Sequence, residues 1–270
     1  MNWPKLQLQP FLLLLIAVTL TITLLTQSII GRGLDAQLRE PDNLDATILY
    51  KKRKIIEARQ KAQTVPVWHG PIQPVDIPAG NPPVIYSIPT SQPVVFLTID
   101  DGWIKTDEIQ KWLLGHRLPA TLFLINDAIK SNYDYFKALQ NAGMSVEDHT
   151  LTHPNLAKVR LARQQAEICG AADTYQAVFG HRPTLLRPPY GSFNAATIQA
   201  AGRCGMRAVV MWRVVVNKGA IYFQSDHTQL EPGDIVLMHF HPEFLEDMNV
   251  FVNEANRAHL QIGHLEDWLQ

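Results

Sequence analysis

VVFLTIDDG, residues 94–102, is an apolar run that ends in two carboxylates and a glycine. A continuous run of this kind, without alternating polar residues, is typical of a buried strand in a parallel sheet. Gly102 permits a turn after the strand, so Asp100 and Asp101 can take different roles. One carboxylate can bind a metal while the other accepts a proton. Taken alone, the pair is equally typical of a turn in which aspartate bonds to the local backbone.

Around this strand, short apolar runs alternate with helical patterns, which predicts an α/β fold with a parallel sheet. The predicted strands cover residues 120–125, a stretch near 145, 184–186, 208–212 and 235–238, and the predicted helices cover 106–114, 133–142, 160–179, 194–203 and 248–260. Polar residues follow several strands directly, namely Asp100 and Asp101, His149, Arg187 and His239. Because the strands of a βα barrel present their carboxyl ends on one face, this placement predicts a single site built from several strand ends.

His149 and His153 are the first candidate metal ligands among the histidines, four residues apart. Pro154 disfavours a helix at His153, so we expect a turn there. Two imidazoles and a carboxylate such as Asp101 form a donor set suited to zinc or a similar divalent ion. By themselves, the two histidines could equally be surface residues.

His239 and His241 form a second pair, and they share a face if the strand continues through both. Either could act as a general acid, and their spacing does not distinguish them. The loop Arg187–Gly191 (RPPYG) is stiffened by two prolines. Such a loop can hold an arginine or a backbone N–H in a fixed position, or can be an ordinary connector.

The amino-terminal part predicts attachment to a membrane. Residues 11–30 are uncharged and long enough to cross a bilayer as a helix. We expect residues 1–30 to be an uncleaved anchor rather than a signal peptide, with the catalytic domain outside the cytoplasm, or secreted if the segment is cleaved. Residues 31–83 are predicted to form a stalk and a Pro-rich linker, and residues 84–270 the catalytic domain.

Composition limits the partners only weakly. The chain has 24 Lys and Arg against 25 Asp and Glu, a net charge of −1, which does not suggest nucleic acid as a partner. Cys169 and Cys204 lack metal-ligand spacing. They are either two buried thiols or one disulfide, and the sequence leaves both open. The oligomeric state is not indicated.

Four motifs occur in an order and spacing that resemble the polysaccharide deacetylases of the NodB-homology (carbohydrate esterase) type. The resemblance covers about residues 84–270. The chain's Leu97–Gly102 (LTIDDG) is similar to the family's Thr-Phe-Asp-Asp-Gly motif, and His149–His153 (HTLTH) to its His-(Ser/Thr)-x-x-His motif. Arg187–Gly191 is similar to Arg-x-Pro-Tyr-Gly, and Leu237–His239 to Leu-x-His.

The resemblance implies a distorted (β/α) barrel of about seven parallel strands and the removal of acetyl groups from an N-acetylated polysaccharide such as peptidoglycan or a chitin-like glycan. It assigns metal binding to Asp101, His149 and His153, with zinc ahead of cobalt, nickel or manganese. It makes Asp100 the general base that activates the attacking water, His239 the general acid, and Arg187 the residue that orients Asp100. For substrate binding, it implies Tyr190, whose backbone N–H stabilises the oxyanion, Leu237 in the acetyl pocket, and Pro189 and Trp212.

One position departs from the family pattern. Family members usually carry an aspartate that supports the arginine or the acid histidine, and the aligned residue here is Val215. Losing such a partner can alter the orientation of its catalytic neighbour. Asn217 or Asp226 could substitute for it. Two alternatives to an N-deacetylase therefore remain, a catalytically decayed glycan-binding module and an O-acetyl esterase.

Overall fold

The structure is a computed structural model that describes residues 65–78, 80–224 and 227–269. The predicted anchor and most of the predicted stalk, residues 1–64, lie outside the described residues. Within the described part of the chain, no helix has the length and apolar character needed to cross a membrane. The described residues all fall in one compact unit that extends from Gln63 to the carboxyl terminus.

Ten strands of the described chain form one sheet. They are β1 (Val84–Ile85), β2 (Val94–Asp101), β3 (Ala120–Leu124), β4 (Ser145–Asp148), β5 (Leu185–Leu186), β6 (Ala208–Val210), β7 (Val214–Asn217), β8 (Ala220–Phe223), β9 (Ile235–His239) and β10 (Gln261–Gly263). The order is β1-β6-β5-β4-β3-β2-β9-β7-β8, and β10 pairs with β2. Every ladder between these strands is parallel except that of the β7–β8 hairpin. The sequence did not predict this hairpin or β10.

The sheet curls because β6 and β7 lie far apart along the strand order but are close in sequence. Only Met211, Trp212 and Arg213 separate them, and each extended residue spans at most about 3.5 Å. The connecting residues are themselves hydrogen-bonded, from Met211 N–H to the Ile85 carbonyl (2.7 Å) and from Arg213 N–H to the Ile235 carbonyl (3.2 Å). The predicted barrel is therefore confirmed in its coarser form, as a curled and mostly parallel α/β sheet.

Seven α-helices accompany the described strands. They are α1 (Asp107–His116), α2 (Asn126–Ile129), α3 (Tyr133–Asn141), α4 (Leu161–Phe179), α5 (Ala195–Arg203), α6 (Phe244–Arg257) and α7 (Leu265–Trp268). Helix α6 begins one turn earlier than predicted. Phe244 extends the apolar stripe of Met248 and Phe251, and the acidic residues Glu246 and Asp247 in the first turn favour a helix start there.

The alternation of side chains along β2 separates two apolar layers. Val95, Leu97 and Ile99 pack in the large core between the sheet and helices that include α3 and α6. Phe96 packs on the opposite face with interior residues of neighbouring strands and with Trp268 of α7. Because successive strand residues alternate in direction, Asp100 continues the interior row that begins with Phe96.

Two further connections bear on the predictions from sequence. Cys169 of α4 and Cys204 at the end of α5 form a disulfide with a Cα–Cα distance of 4.9 Å. Part of the segment predicted to be a Pro-rich linker bonds to the domain, since Trp68 N–H donates to the Ile262 carbonyl and Val75 N–H to the Trp268 carbonyl, both at 2.8 Å. The predicted domain boundary at residue 84 stays a prediction.

A polar cluster lies at the end of the sheet away from the carboxyl ends of β3 and β4. The Thr121 hydroxyl donates to Glu266 Oε1 at 2.7 Å, and Glu266 Oε2 lies 2.6 Å from His264 Nδ1. The other ring nitrogen of His264 lies 2.8 Å from the Gly143 carbonyl. Burial alone would lower the pKa of His264, but Glu266 and the Gly143 carbonyl raise it to about 9.

We expect this cluster to make stability depend on pH. The folded pKa of His264 is about 9, above the unfolded value of roughly 6.5. Its stabilising contribution is therefore fully present below pH ~6.5 and is lost as the pH rises through the folded pKa. Between pH ~6.5 and the folded pKa of about 9, the free energy of urea unfolding should fall less in His264→Gln than in the wild type. Equal losses in both proteins would contradict this assignment.

Candidate active site

The carboxyl end of β2 brings two carboxylates to one histidine. Asp100 is 2% exposed and Asp101 adopts a left-handed backbone with φ of 78°. Left-handed backbone is uncommon outside glycine, and here it turns the chain at the strand end, followed by Gly102 with φ of 98°. As a result, Asp100 Oδ2 and Asp101 Oδ1 lie 3.7 and 3.6 Å from His149 Nε2.

The turn after β4 positions the two predicted histidine ligands. His149 Nδ1 lies 2.6 Å from the Arg187 carbonyl, which can only accept, so Nδ1 carries the proton and Nε2 is free to bind a metal. His153 has a left-handed φ of 59°, and its N–H donates to the Thr150 hydroxyl at 3.0 Å. The predicted turn at His153, in place of a helix, is therefore present.

Asp101, His149 and His153 form a three-residue set that could hold a metal ion. One ligand atom of each lies within 4.8 Å of the other two, and Asp101 Oδ1 is 3.6 Å from His149 Nε2 and 3.8 Å from His153 Nε2. Two zinc–ligand bonds of roughly 2.0–2.2 Å can bridge atoms up to about 4 Å apart, so both separations from Asp101 Oδ1 fit a shared ion. Burial lowers the pKa of both histidines, which favours the neutral form that binds metals. The pKa of the Asp101 carboxyl is raised by burial and by the charge of Asp100.

Arg187 fixes the position of Asp100 from inside the sheet. Its guanidinium is fully buried, and Nη1 donates to Asp100 Oδ1 at 2.8 Å and to the Thr98 hydroxyl at 2.7 Å. The remaining donors bond to the carbonyls of Val210 (3.1 Å) and Met211 (3.0 Å). A buried charge needs such partners, so Asp100 and Arg187 hold each other in place.

A cavity of about 360 Å³ opens over these residues. Its lining consists of Asp100, Asp101, His149, His153, Pro188, Tyr190, Gly191, Trp212, Leu237 and His239. Most of the residues predicted for the site therefore meet in one pocket. Arg187 lies behind it, bonded to Asp100. Pro189 was expected to contact substrate but lies outside the lining, whereas the neighbouring Pro188, also buried, contributes to it.

Tyr190 forms part of the pocket wall through an unusual backbone. It lies in the short 3₁₀ turn Pro189–Gly191 with a left-handed φ of 62°. The turn is held by hydrogen bonds from Gly191 N–H to the Pro188 carbonyl and from Ser192 N–H to the Pro189 carbonyl. Its ring stands 4.5 Å from that of His153.

The structure separates His239 from His241. His239 is the last residue of β9, directly beside Asp100 in the ladder, and it lines the pocket. His241 lies beyond the strand, with Nε2 2.8 Å from the buried Asp247 carboxylate and Nδ1 3.0 Å from Glu243. The expected common face is wrong because β9 ends at His239. The geometry therefore makes His239 the candidate acid, a choice that spacing left open.

Thr98 is a site residue that the sequence reasoning missed. It is the polar member of an otherwise apolar strand and lies two residues before Asp100, on the same face. A buried hydroxyl on the face of a catalytic carboxylate is a usable signal, because it must find a polar partner. The Thr98 hydroxyl accepts from Arg187 Nη1 and donates to the Val236 carbonyl, both at 2.7 Å.

The positions of Asp100, His239 and Arg187 can support hydrolysis. Asp100 offers a proton acceptor beside a candidate metal site, and His239 offers a proton donor across the same pocket. Leu237 and Trp212 supply apolar walls. Such a pocket, mostly apolar with a few convergent polar groups, is typical of an enzyme site.

Comparison with known proteins points to one family. The family model described as polysaccharide deacetylase matches residues 87–209. An uncharacterized protein of Streptomyces coelicolor is 36% identical over 207 residues, which cover 74% of this chain and 82% of that protein. The peptidoglycan-N-acetylglucosamine deacetylase of Bacillus cereus is 30% identical over 164 residues. These residues cover 58% of this chain and 59% of that enzyme.

Solved structures show the same fold. A CE4 family pseudoenzyme from Bacillus anthracis superimposes with a TM-score of 0.61 at 22% identity. The match covers 71% of this chain and 70% of that one. At this identity the likeness concerns the fold, and it agrees with the curled parallel sheet described above.

We expect metal binding to depend on His153 and not on His241. His153→Ala should weaken binding of zinc or cobalt by more than about 100-fold, because a ligand is lost and not only an outer-shell partner. His241→Ala, which alters a histidine outside the pocket lining, should leave the affinity unchanged. Calorimetric titration of the metal-free protein measures both. Equal weakening in the two variants would exclude the assigned ligands.

Proposed function

The chain belongs to the polysaccharide deacetylase family, and we propose that it hydrolyses acetyl groups from an N-acetylated polysaccharide with the help of a divalent metal ion. The observation that carries the proposal is the position of Asp100. Arg187 holds this carboxylate at 2.8 Å, beside a possible three-residue metal site and in the same pocket as His239.

Asp101, His149 and His153 are the residues that we propose as metal ligands. One carboxylate and two neutral imidazoles suit zinc, while cobalt, nickel and manganese accept the same donors. A divalent ion bound there would supply Lewis-acid chemistry, polarising the acetyl carbonyl and making a bound water more acidic. The hydrogen bond from His149 to the Arg187 carbonyl fixes which ring nitrogen faces the ion.

Asp100 is the proposed general base and His239 the proposed general acid. Asp100 takes the proton from the attacking water, and Arg187 keeps its carboxylate from rotating away. His239 donates a proton to the departing amine nitrogen of the sugar. Leu237 and Trp212 enclose the acetyl methyl group, and the backbone N–H of Tyr190 is proposed to stabilise the oxyanion.

The replacement of the usual aspartate by Val215 bears on whether the site turns over. Val215 pairs with Leu237 in the sheet. The carbonyls of Val210 and Met211 already accept hydrogen bonds from Arg187, so this arginine keeps its partners without the missing carboxylate. This supports an active enzyme if the missing aspartate would have served Arg187 rather than His239. Asn217 lies at the end of β7, and Asp226 lies outside the described residues.

We propose peptidoglycan or a chitin-like glycan as the substrate, with hydrolysis of N-acetyl rather than O-acetyl groups. The Bacillus cereus relative is described as acting on peptidoglycan N-acetylglucosamine. We also propose that residues 1–30 anchor the domain outside the cytoplasm, since residues 11–30 carry no charge. The disulfide between Cys169 and Cys204 suits an oxidising compartment.

Acetate release from N-acetylglucosamine oligomers in the presence of zinc or cobalt tests the proposal. Asp100→Asn should reduce kcat by at least about 100-fold, because the amide cannot accept the proton, while metal binding is retained. Acetate release by the wild type that is unaffected by this substitution would rule out Asp100 as the base. Release only from O-acetylated glycan would indicate the esterase instead.

Val215→Asp distinguishes an active enzyme from a decayed glycan-binding module. If Arg187 is already supported, adding the carboxylate should change kcat/KM by no more than about tenfold, the effect of ~1.4 kcal/mol. A wild type without detectable turnover, together with strong acetate release by the variant, would identify the decayed module. Val215→Asn controls for the polarity of the new side chain.

A further inference from the structure

Large apolar side chains that remain exposed are few in the described chain. They are Ile72, Tyr86, Trp103, Tyr190 and Tyr222. Tyr190 belongs to the pocket already described, but the proposed reaction uses neither Trp103 nor Tyr222. Exposed aromatic side chains beside a pocket often mark a surface that binds ligand.

Trp103 follows the pocket-lining residue Asp101, and its backbone is held in place. It is two residues from Asp101, so its Cα lies within about 7 Å of that residue's Cα. Lys105 Nζ donates to the carbonyls of Gly102 (2.9 Å), Trp103 (3.2 Å) and Ala128 (2.8 Å), which ties the loop to α2. The side chain of Trp103 is nevertheless 55% exposed. A rigid loop therefore presents a large apolar ring to solvent beside the metal-binding set.

Tyr222 is directed to the pocket side of the sheet by strand register. It lies opposite Val215 in the β7–β8 hairpin, and Val215 pairs with Leu237, which lines the pocket. Directly paired residues project from the same face of a sheet. The neighbours of Tyr222, Ile221 and Phe223, pack against the outer core instead. Two strand spacings of about 4.8 Å put Tyr222 roughly 10 Å from Leu237.

The cavity itself is too small for a polymer. Its volume of about 360 Å³ is near the lower end of the roughly 300–1,000 Å³ typical of small-ligand pockets. The sugar units next to the one being deacetylated must therefore lie on the surface around the opening. Hexosamine rings have one face of C–H groups, and a flat aromatic side chain is the surface that matches it.

We propose that Trp103 and Tyr222 form an aromatic rim that stacks on the sugar units flanking the reacting one. This inference rests on the proposed function and extends it to the length of the substrate. The aromatic rim makes an oligosaccharide or polymer the preferred substrate over a short glycan, because only a longer chain reaches both rings. The two residues are positioning residues, since they bind substrate away from the reacting atoms.

The test compares N-acetylglucosamine oligomers of different length. For the hexasaccharide, Trp103→Ala and Tyr222→Ala should each lower kcat/KM by about three- to tenfold, as expected for the loss of one stacking contact. For the disaccharide, both variants should match the wild type. Trp103→Phe and Tyr222→Phe keep an aromatic ring and should retain the preference for longer chains.

Tyr86→Ala is the matched control. Tyr86 is also an exposed tyrosine, 46% exposed, but it lies in a separate groove that has no lining residue in common with the active-site pocket. It should change kcat/KM at no chain length. Losses in the rim variants that are equal for the disaccharide and the hexasaccharide, or absent for both, would overturn the proposal.

Binding of the oligosaccharides to the Asp100→Asn protein tests the aromatic rim independently of the proposed reaction. If no acetate is released from any glycan, the proposed function fails, but calorimetry with the same oligomers still measures the aromatic rim. Tighter binding of the hexasaccharide than of the disaccharide, lost in Trp103→Ala or Tyr222→Ala combined with Asp100→Asn, would support it. Equal affinities for the two oligomers, or no binding of either, would refute it.

Discussion

The buried ion pair between Arg187 and Asp100 is the constraint around which the site is arranged. An arginine with no exposure inside a protein must satisfy all its donors, because each unpaired donor costs free energy. Here four of its five N–H groups donate to Asp100, Thr98 and the carbonyls of Val210 and Met211 at the end of β6. One side chain therefore ties β2, β5 and β6 together across the interior of the curled sheet. The carboxylate is held before any substrate arrives.

Left-handed backbone conformations position the parts of the site that the ion pair does not hold. Asp101, His153 and Tyr190 all have left-handed φ angles, although none is glycine. Such conformations cost about 1–3 kcal/mol each and persist only where the surroundings enforce them. These three follow separate strands that end at one pocket, although left-handed residues such as Arg117 and Lys218 also occur away from it. Each turn directs a functional group toward the cavity that a regular strand or helix would have directed elsewhere.

The hydrogen bonds of Arg187 bear on the proposed departure from the family pattern at Val215. Val215 removes a carboxylate, but the backbone around Met211 provides acceptors for Arg187 in the same neighbourhood. Backbone carbonyls cannot be changed by substitution, so this support does not depend on the identity of the side chains. The aromatic rim adds a separate layer outside the reacting groups, where binding of the polymer can vary without disturbing the chemistry.

The order of strands and helices, the candidate ligands Asp101, His149 and His153, and the proximity of strand-end residues could all be predicted from sequence. The periodicity of apolar residues and the turn residues are local signals that the sequence displays directly. Parallel strands bring their carboxyl ends to one edge of the sheet whatever their side chains are. The β7–β8 hairpin and β10 could not, because short strands are defined by the strands they pair with. The polar residue at Thr98 signals a buried partner but does not identify that partner as Arg187. Spacing left His239 and His241 equivalent. The family resemblance favoured His239, and only the tertiary structure gives the physical reason, because the end of β9, set by its pairing with β2, places His239 in the pocket lining and leaves His241 beside Asp247.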